Sequence, residues 1–72
     1  MNFSKRLKQL RTQHNINQTT LSQILSMTVR SVSKYETEEM QPTLPVLLAL
    51  ADYFNVSIDY LVGRTDKPEV NK

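Results

Sequence analysis

Basic side chains dominate the first half of this 72-residue chain. Residues 1–35 contain no Asp or Glu and hold six bases: Lys5, Arg6, Lys8, Arg11, Arg30 and Lys34. Residues 36–72 hold seven acids and three bases, so the two halves carry formal charges of +6 and −4, and the whole chain carries +2. A basic half on a small domain is typical of proteins that bind a polyanion, above all a nucleic acid. Charge alone also permits a solvated surface that has no partner.

Side chains suited to catalysis or metal binding form no pattern. His14 is the single histidine and cysteine is absent, so we expect no metal site and no serine activated by a histidine base. The adjacent acids Glu38 and Glu39 are more simply interpreted as solvating a linker. Gly63 is the only glycine, so there is no Gly-rich phosphate-binding loop. We therefore expect no enzyme, no metal, no cofactor and no small-molecule ligand.

The length and composition predict one small domain. A chain of this size buries only about 60% of its unfolded surface, which predicts modest stability. The lack of cysteine fits a reducing cytoplasm. No apolar run approaches the roughly 20 residues of a membrane span, and no apolar block follows the N-terminal residues 1–6 as it would in a signal peptide.

The basic residues must be positioned by secondary structure, and the sequence has the apolar periodicity of helices. It indicates five helices at about 3–14, 18–25, 28–36, 44–54 and 58–62. A residue that suits a helix N-cap precedes or begins each segment: Asn2, Asn17, Thr28, Thr43 and Ser57. The ends have matching signals, with asparagine or glycine after three of the helices: Asn15, Asn55 and Gly63. These signals predict an all-α fold, a compact five-helix bundle.

The third segment is a weak helix by propensity, since it contains two valines and two serines. Val32 and Tyr35 form a narrow apolar edge that can pack on the bundle. The remaining residues are left facing outward: Val29, Arg30, Ser31, Ser33 and Lys34. We therefore expect this helix to depend on tertiary contacts.

An ordered set of motifs runs through most of the chain. It comprises Arg6-Leu7-Lys8-Gln9-Leu10-Arg11, Asn17-Gln18-Thr19-Thr20-Leu21-Ser22, Thr28 to Glu36, Pro42-Thr43-Leu44, Leu47 to Ala51 and Asn55 to Gly63. Taken together, over residues 3–63, these motifs resemble the Cro/C1-type (XRE-like) helix-turn-helix repressor family. The resemblance implies a bundle of the lambda-repressor-like DNA-binding domain type, with a DNA-binding domain at 1–63. Residues 64–72 are expected to form a mobile polar tail.

In this family the helix at about 28–36 enters the major groove of double-stranded DNA. By family position, Val29, Arg30 and Lys34 face base edges and Ser31 lies at the margin. Arg30 can pair with guanine O6 and N7, Lys34 can reach the same acceptors, and Val29 can touch a thymine methyl. The alternatives are plain phosphate contacts for the two bases and no contact at all for Val29.

The resemblance implies a second set of residues that hold the phosphate backbone or the helices. Gln18, at the start of the second helix, and Thr37 match phosphate-contacting positions, although Gln18 can also be merely solvated. The acids at 38–39 weaken the case for Thr37. Arg11 and Glu36 match a structural pair between the first and third helices, and Arg11 can also face a phosphate.

Three residues depart from the family pattern. Ser26 replaces the turn glycine, so a left-handed turn there would cost about 1 kcal/mol, or else the turn differs. Ser22 replaces a small alanine, and its hydroxyl must find a carbonyl. Ile24 stands where a polar residue is usual, which indicates either a partner surface or a wider core.

A second apolar stripe predicts a contact between subunits. It comprises Val46, Ala49 and Tyr53, with Tyr60 beside it. In many family members this end forms the dimer, whereas the simpler alternative is an edge of the monomer core.

We therefore expect a sequence-specific transcriptional regulator, a repressor that binds a palindromic operator as a homodimer. It would be cytoplasmic and nucleoid-associated, of prokaryotic or phage origin. The alternative is a protein-interaction module on the same scaffold, antitoxin-like or an anti-repressor partner, with its main contact through Ile24, Val46, Tyr53 and Tyr60.

Overall fold

The computed structural model describes residues 1–69, and these form helices and turns without a strand. The helices are α1 (Phe3–Gln13), α2 (Gln18–Ile24), α3 (Val29–Glu36), α4 (Leu44–Phe54) and α5 (Ile58–Leu61). The all-α expectation is confirmed, and every helix boundary lies within one residue of its predicted position. Among these residues no helix has both the length and the apolar character needed to cross a membrane.

Side-chain caps explain why the helices begin where they do. The side chains of Asn2, Asn17, Thr28 and Ser57 each accept a hydrogen bond from a backbone N–H in the first turn, at 2.7–3.1 Å. Each cap satisfies a donor that has no partner inside the helix. Thr43 makes no such bond, so α4 begins instead with a proline in its first turn, whose missing N–H leaves one donor fewer to satisfy.

Left-handed residues end several of the helices and turns. Asn15 and Asn55 have φ values of 57° and 55°, as expected for asparagine after a helix. Ser26 has φ 54°, so the turn between α2 and α3 keeps the left-handed geometry without a glycine. Glu38 also has a positive φ, 67°, which the sequence did not predict. Gly63 has φ 84°, and a Cβ there would collide with the carbonyl of Met1.

Each helix contributes one fully buried side chain to the core: Leu7, Leu21, Val32, Leu50 and Leu61. Helix α1 packs on α3 and α5, while α2 packs on α3 and α4 packs on α5. The pair α2–α3 is therefore joined to the pair α4–α5 largely through α1. All five helices thus contribute to one core, and the weak helix α3 packs on both α1 and α2 within it.

Two side chains do not lie where their residue types suggest. Leu44 is apolar, but it is 61% exposed because it is the first residue of α4. Arg6 is charged, but it is only 4% exposed. Its guanidinium lies 3.7 Å from the centre of the Tyr60 ring, so a cation–π contact holds it inside the domain.

The described part of the C-terminal segment, residues 64–69, contacts the domain. Arg6 Nη2 lies 3.4 Å from the carbonyl of Thr65 and from Asp66 Oδ1. The backbone N–H of Ser57 donates to the carbonyl of Pro68 at 3.1 Å. Residues 70–72 lie outside the described residues, and the mobility expected for 64–72 stays a prediction.

Candidate nucleic-acid interface

Helix α3 turns one side to the core and the other to solvent. Val32 and Tyr35 are buried, and successive residues are rotated by about 100° around a helix axis. Arg30 therefore lies opposite the buried edge. Around the helix axis, Lys34 lies about 40° from Arg30 on one side, and Ser33 lies about 60° from Arg30 on the other side. Arg30 is exposed and the other two are partly exposed.

The remaining residues of the predicted base-contacting set lie at the margins of this outward face. Val29 is exposed, at the first position of α3. Ser31 is partly exposed, and its hydroxyl lies 3.1 Å from that of the capping Thr28. Ser33, which was left out of the predicted contacts, lies closer to the centre of the face than either. The helical rotation between residues 30 and 33 was the signal that could have identified it.

An ion pair fixes the end of α3 to α1. Arg11 Nε donates to Glu36 Oε2 at 2.7 Å and Arg11 Nη2 donates to Glu36 Oε1 at 3.2 Å. The two side chains are only 13% and 4% exposed. Arg11 Nη1 also donates to the carbonyl of Ile16, at 3.1 Å, at the turn before α2. The pair therefore ties α1, the α1–α2 turn and α3 together, and it leaves little of the Arg11 guanidinium for a phosphate.

Gln18 belongs to the same network. Its Nε2 donates to Glu36 Oε1 at 3.1 Å, from the first turn of α2. An amide nitrogen carries two N–H donors, so one remains for a phosphate oxygen while the other holds Glu36. The sequence predicted the phosphate position for Gln18 and did not predict its bond to Glu36.

A second set of contacts holds α3 from the side of α1. The Ser4 hydroxyl donates to the backbone carbonyl of Tyr35 at 2.5 Å. The rings of Phe3 and Tyr35 meet edge to face, with 6.1 Å between their centroids, an arrangement that aromatic quadrupoles favour. Helix α3 is therefore fastened to α1 near its C-terminal end, while Val29 and Arg30 in its first turn are exposed to solvent.

The residues that depart from the family pattern are accommodated locally. The Ser22 hydroxyl donates to the carbonyl of Thr19 at 2.6 Å, so this buried group is satisfied as the sequence required. Ser26 adopts the left-handed turn described above. Ile24 is exposed, which excludes the wider core as the explanation for it within this monomer.

The charges that remain free are fewer than the sequence count suggests. The ion pairs among residues 1–69 join Arg6 to Asp66, Arg11 to Glu36 and Arg64 to Asp59. Arg30 and Lys34 belong to none of these pairs. Thr37 is exposed after α3, and its hydroxyl lies 3.4 Å from the carbonyl of Lys34. The exposed acids Glu38 and Glu39 follow it directly, and the Asn2 side chain contacts Glu38.

The residues of the predicted dimer stripe do not form one surface. Ala49 and Tyr53 are exposed, Val46 is partly buried and packs against the core, and Tyr60 is buried beneath Arg6. Two further apolar side chains of α4 are exposed, Leu44 and Leu48, but they lie about 100–140° around the helix axis from Ala49. Tyr60 is therefore a core residue, because the cation–π contact turns its ring inward.

Within residues 1–69 no group of three or more His, Asp or Glu side chains is close enough together to hold a metal ion.

Known proteins resemble this chain in sequence and in structure. A family model described as helix-turn-helix matches residues 7–61. The uncharacterized HTH-type transcriptional regulator YobD of Bacillus subtilis is 36% identical over 67 residues, which are 93% of this chain and 60% of YobD. The chain thus spans about three fifths of the length of that relative.

Two solved structures superimpose closely on the helices. A transcriptional regulator from Listeria innocua has a TM-score of 0.82 at 34% identity, over 85% of this chain and 57% of the other. The P22 c2 repressor, crystallised in complex with a synthetic operator, has a TM-score of 0.80 at 27% identity, over 86% and 94%. The fold is that of the lambda-repressor-like DNA-binding domains, as expected. Since the family model matches most of its residues, the chain belongs to the XRE-like helix-turn-helix family.

Proposed function

We propose that this chain is a sequence-specific, double-stranded DNA-binding transcriptional repressor that reads the major groove with α3. The observation that carries the proposal is the outward face of α3, where Arg30 and Lys34 have no partner in the ion pairs of residues 1–69. The opposite side of α3 is fixed by Glu36 to two other helices. A rigid helix with free donors suits the reading of base edges. The similarity to a repressor bound to its operator supports this assignment.

In the proposed complex, residues near the ends of α2 and α3 position the backbone. Gln18 uses its second amide N–H for a phosphate oxygen, together with backbone amides of the first turn of α2. Thr37 supplies a hydroxyl beyond α3. Arg11 contributes mainly by holding Glu36, and any phosphate contact is limited to its small exposed edge. Val29, Arg30, Ser31 and Lys34 form the base-contacting set, to which we add Ser33.

The proposed repressor acts as a homodimer on a palindromic operator. The support is a pair of exposed apolar side chains four residues apart on one side of α4, Ala49 and Tyr53. Two-fold symmetry would place the half-sites about 34 Å apart along the DNA. Such a protein would work in the cytoplasm at the nucleoid of a bacterial or phage-infected cell, since the relatives named above are bacterial.

Selection of binding sites from random duplexes at two salt concentrations tests the proposal. We expect inverted repeats to be enriched, and affinity to fall steeply with salt because bound counterions are released from the phosphates. Gln18→Ala should weaken binding to all sequences alike, whereas Arg30→Ala should cost about 1–3 kcal/mol at one base position. Enrichment of no sequence, with weak binding that salt does not alter, would contradict the proposal. In that case a stoichiometric protein partner in a pull-down would favour the interaction-module alternative.

The dimer has a separate test. At protein concentrations below saturation, Tyr53→Glu should reduce the sedimentation-equilibrium mass on operator DNA from two chains per duplex to one, because the half-sites are then filled independently. Asp59→Asn, on the exposed surface of α5, is the control that should leave two chains bound. Two chains of Tyr53→Glu on each duplex would reject this face of α4 as the dimer contact.

A further inference from the structure

The side chains on the outward face of α3 share one chemical property. Arg30 and Lys34 present only N–H donors, Ser31 and Ser33 present short hydroxyls, and Val29 presents methyl groups. Residues 28–35 contain no Asn, Gln, Asp or Glu, and the carboxylate of Glu36 is turned inward to Arg11. In the major groove, amide side chains select adenine and carboxylates select the amino group of cytosine, whereas Arg and Lys select guanine O6 and N7. The long side chains of this face are therefore matched to guanine.

The spacing of the two bases along α3 sets the spacing of their targets. Four residues advance about 6 Å along a helix, and residues four apart lie only about 40° apart around it. Arg30 and Lys34 thus project in nearly the same direction from two successive turns. Base pairs are stacked about 3.4 Å apart. A helix that lies along the groove therefore brings the two side chains to base pairs about two steps apart.

Resting on the proposed function, we infer that each half-site read by α3 contains two guanines two base-pair steps apart, on either strand. Arg30 reads one guanine and Lys34 reads the other. Base discrimination is concentrated at these two pairs, and α3 has no amide side chain among residues 28–35 to select adenine by hydrogen bonds. The short hydroxyls contribute little selectivity because serine accepts either kind of base edge.

Site selection with two glutamine variants tests both the bases and their spacing. Glutamine prefers adenine N6 and N7, so Arg30→Gln should change one position of the selected motif from guanine to adenine, and Lys34→Gln should change the position two steps away. Each variant should bind the original site roughly 5- to 150-fold more weakly and recover affinity on the matching adenine site. Lys8→Gln, at an exposed base of α1 that belongs to no proposed contact, is the matched control and should keep both guanines. All three side chains face solvent, so the far-ultraviolet circular dichroism should be unchanged.

Modified bases test the groove contact without changing the protein. Replacing either guanine by 7-deazaguanine removes N7 and should weaken wild-type binding several-fold. Replacing it by hypoxanthine keeps N7 and O6 and removes only the minor-groove amino group, so binding should change little. Equal losses for the two replacements would overturn the inference, because they would indicate a response to duplex stability or groove shape.

The outcomes separate this inference from the proposed function. An enriched inverted repeat without the guanine pair would overturn the inference and leave the proposed function standing. The same conclusion would follow if a glutamine variant weakened binding to all sequences alike, which indicates a phosphate contact. Altered positions that are adjacent, or more than three steps apart, would overturn the spacing. Failure to enrich any sequence would remove the proposed function itself.

Discussion

Breaking the Arg11–Glu36 pair should destabilise the domain far more than a surface pair would. The two side chains are 13% and 4% exposed and share two hydrogen bonds, and Gln18 adds a third to Glu36. Arg11→Met leaves a carboxylate in a nearly buried site with only an amide partner, and Glu36→Leu leaves a guanidinium there. Removal of one member of such a pair costs about 3–5 kcal/mol. That is a large part of the roughly 5 kcal/mol available to a domain of this size.

The assay is urea unfolding at low temperature, followed by circular dichroism. A loss of about 3 kcal/mol lowers the midpoint by roughly 1–3 M, given the usual dependence on urea. The double variant Arg11→Met/Glu36→Leu should lose less than the sum of the single losses by about 2–3 kcal/mol, because no unpaired charge is left. The control is Arg64→Met, whose partner Asp59 lies 3.9 Å away with both side chains mostly exposed, and we expect a change within about 0.5 kcal/mol.

Additive losses below about 1 kcal/mol for the two single variants would refute this reasoning. They would indicate that water screens the pair as it screens an exposed one. The measurement also bears on Gln18, since a loss of stability in Gln18→Ala would separate its bond to Glu36 from its proposed phosphate contact.

Three further changes have expected outcomes. Ser26→Gly should raise the unfolding free energy by up to about 1 kcal/mol, because only glycine adopts a left-handed φ freely; Ser26→Ala, which keeps the Cβ, should give no gain in the same urea titration. Gly63→Ala should lower the melting temperature by at least about 5 °C, since a Cβ adds both the cost of a positive φ and a collision with the Met1 carbonyl. Gly63→Asn tolerates the positive φ but keeps the collision, so its melting temperature should be no higher than that of Gly63→Ala. A wild-type melting temperature for Gly63→Asn would contradict the collision. Glu39→Gln should strengthen binding to all duplexes a few-fold at low salt, because it removes a negative charge near Thr37. The control Asp52→Asn removes one negative charge from α4, away from the proposed interface. An equal gain in affinity for both variants in a fluorescence-anisotropy titration would contradict a local effect.

Local signals in the sequence determined the helices. The caps Asn2, Asn17, Thr28 and Ser57 form bonds within three residues of themselves, so their effect does not depend on the rest of the fold. The apolar periodicity indicated the helical segments for the same reason, since both patterns are properties of a single helix. The order of the motifs then identified the family, and with it the helix assigned to the major groove.

Only the tertiary structure decided how individual long side chains are used. Arg6 is a basic residue in a basic half, and its place over the Tyr60 ring depends on how α1 packs against α5. The bond from Gln18 to Glu36 joins residues on two helices, and Leu44, the first residue of α4, is exposed although it is apolar. Such side chains have several rotatable bonds and reach across helix boundaries, so their partners are set by the packing of the helices and not by sequence spacing. The sequence by itself therefore determined where the helices lie and which face of α3 is polar, whereas the packing decided which of the charges remain free to meet DNA.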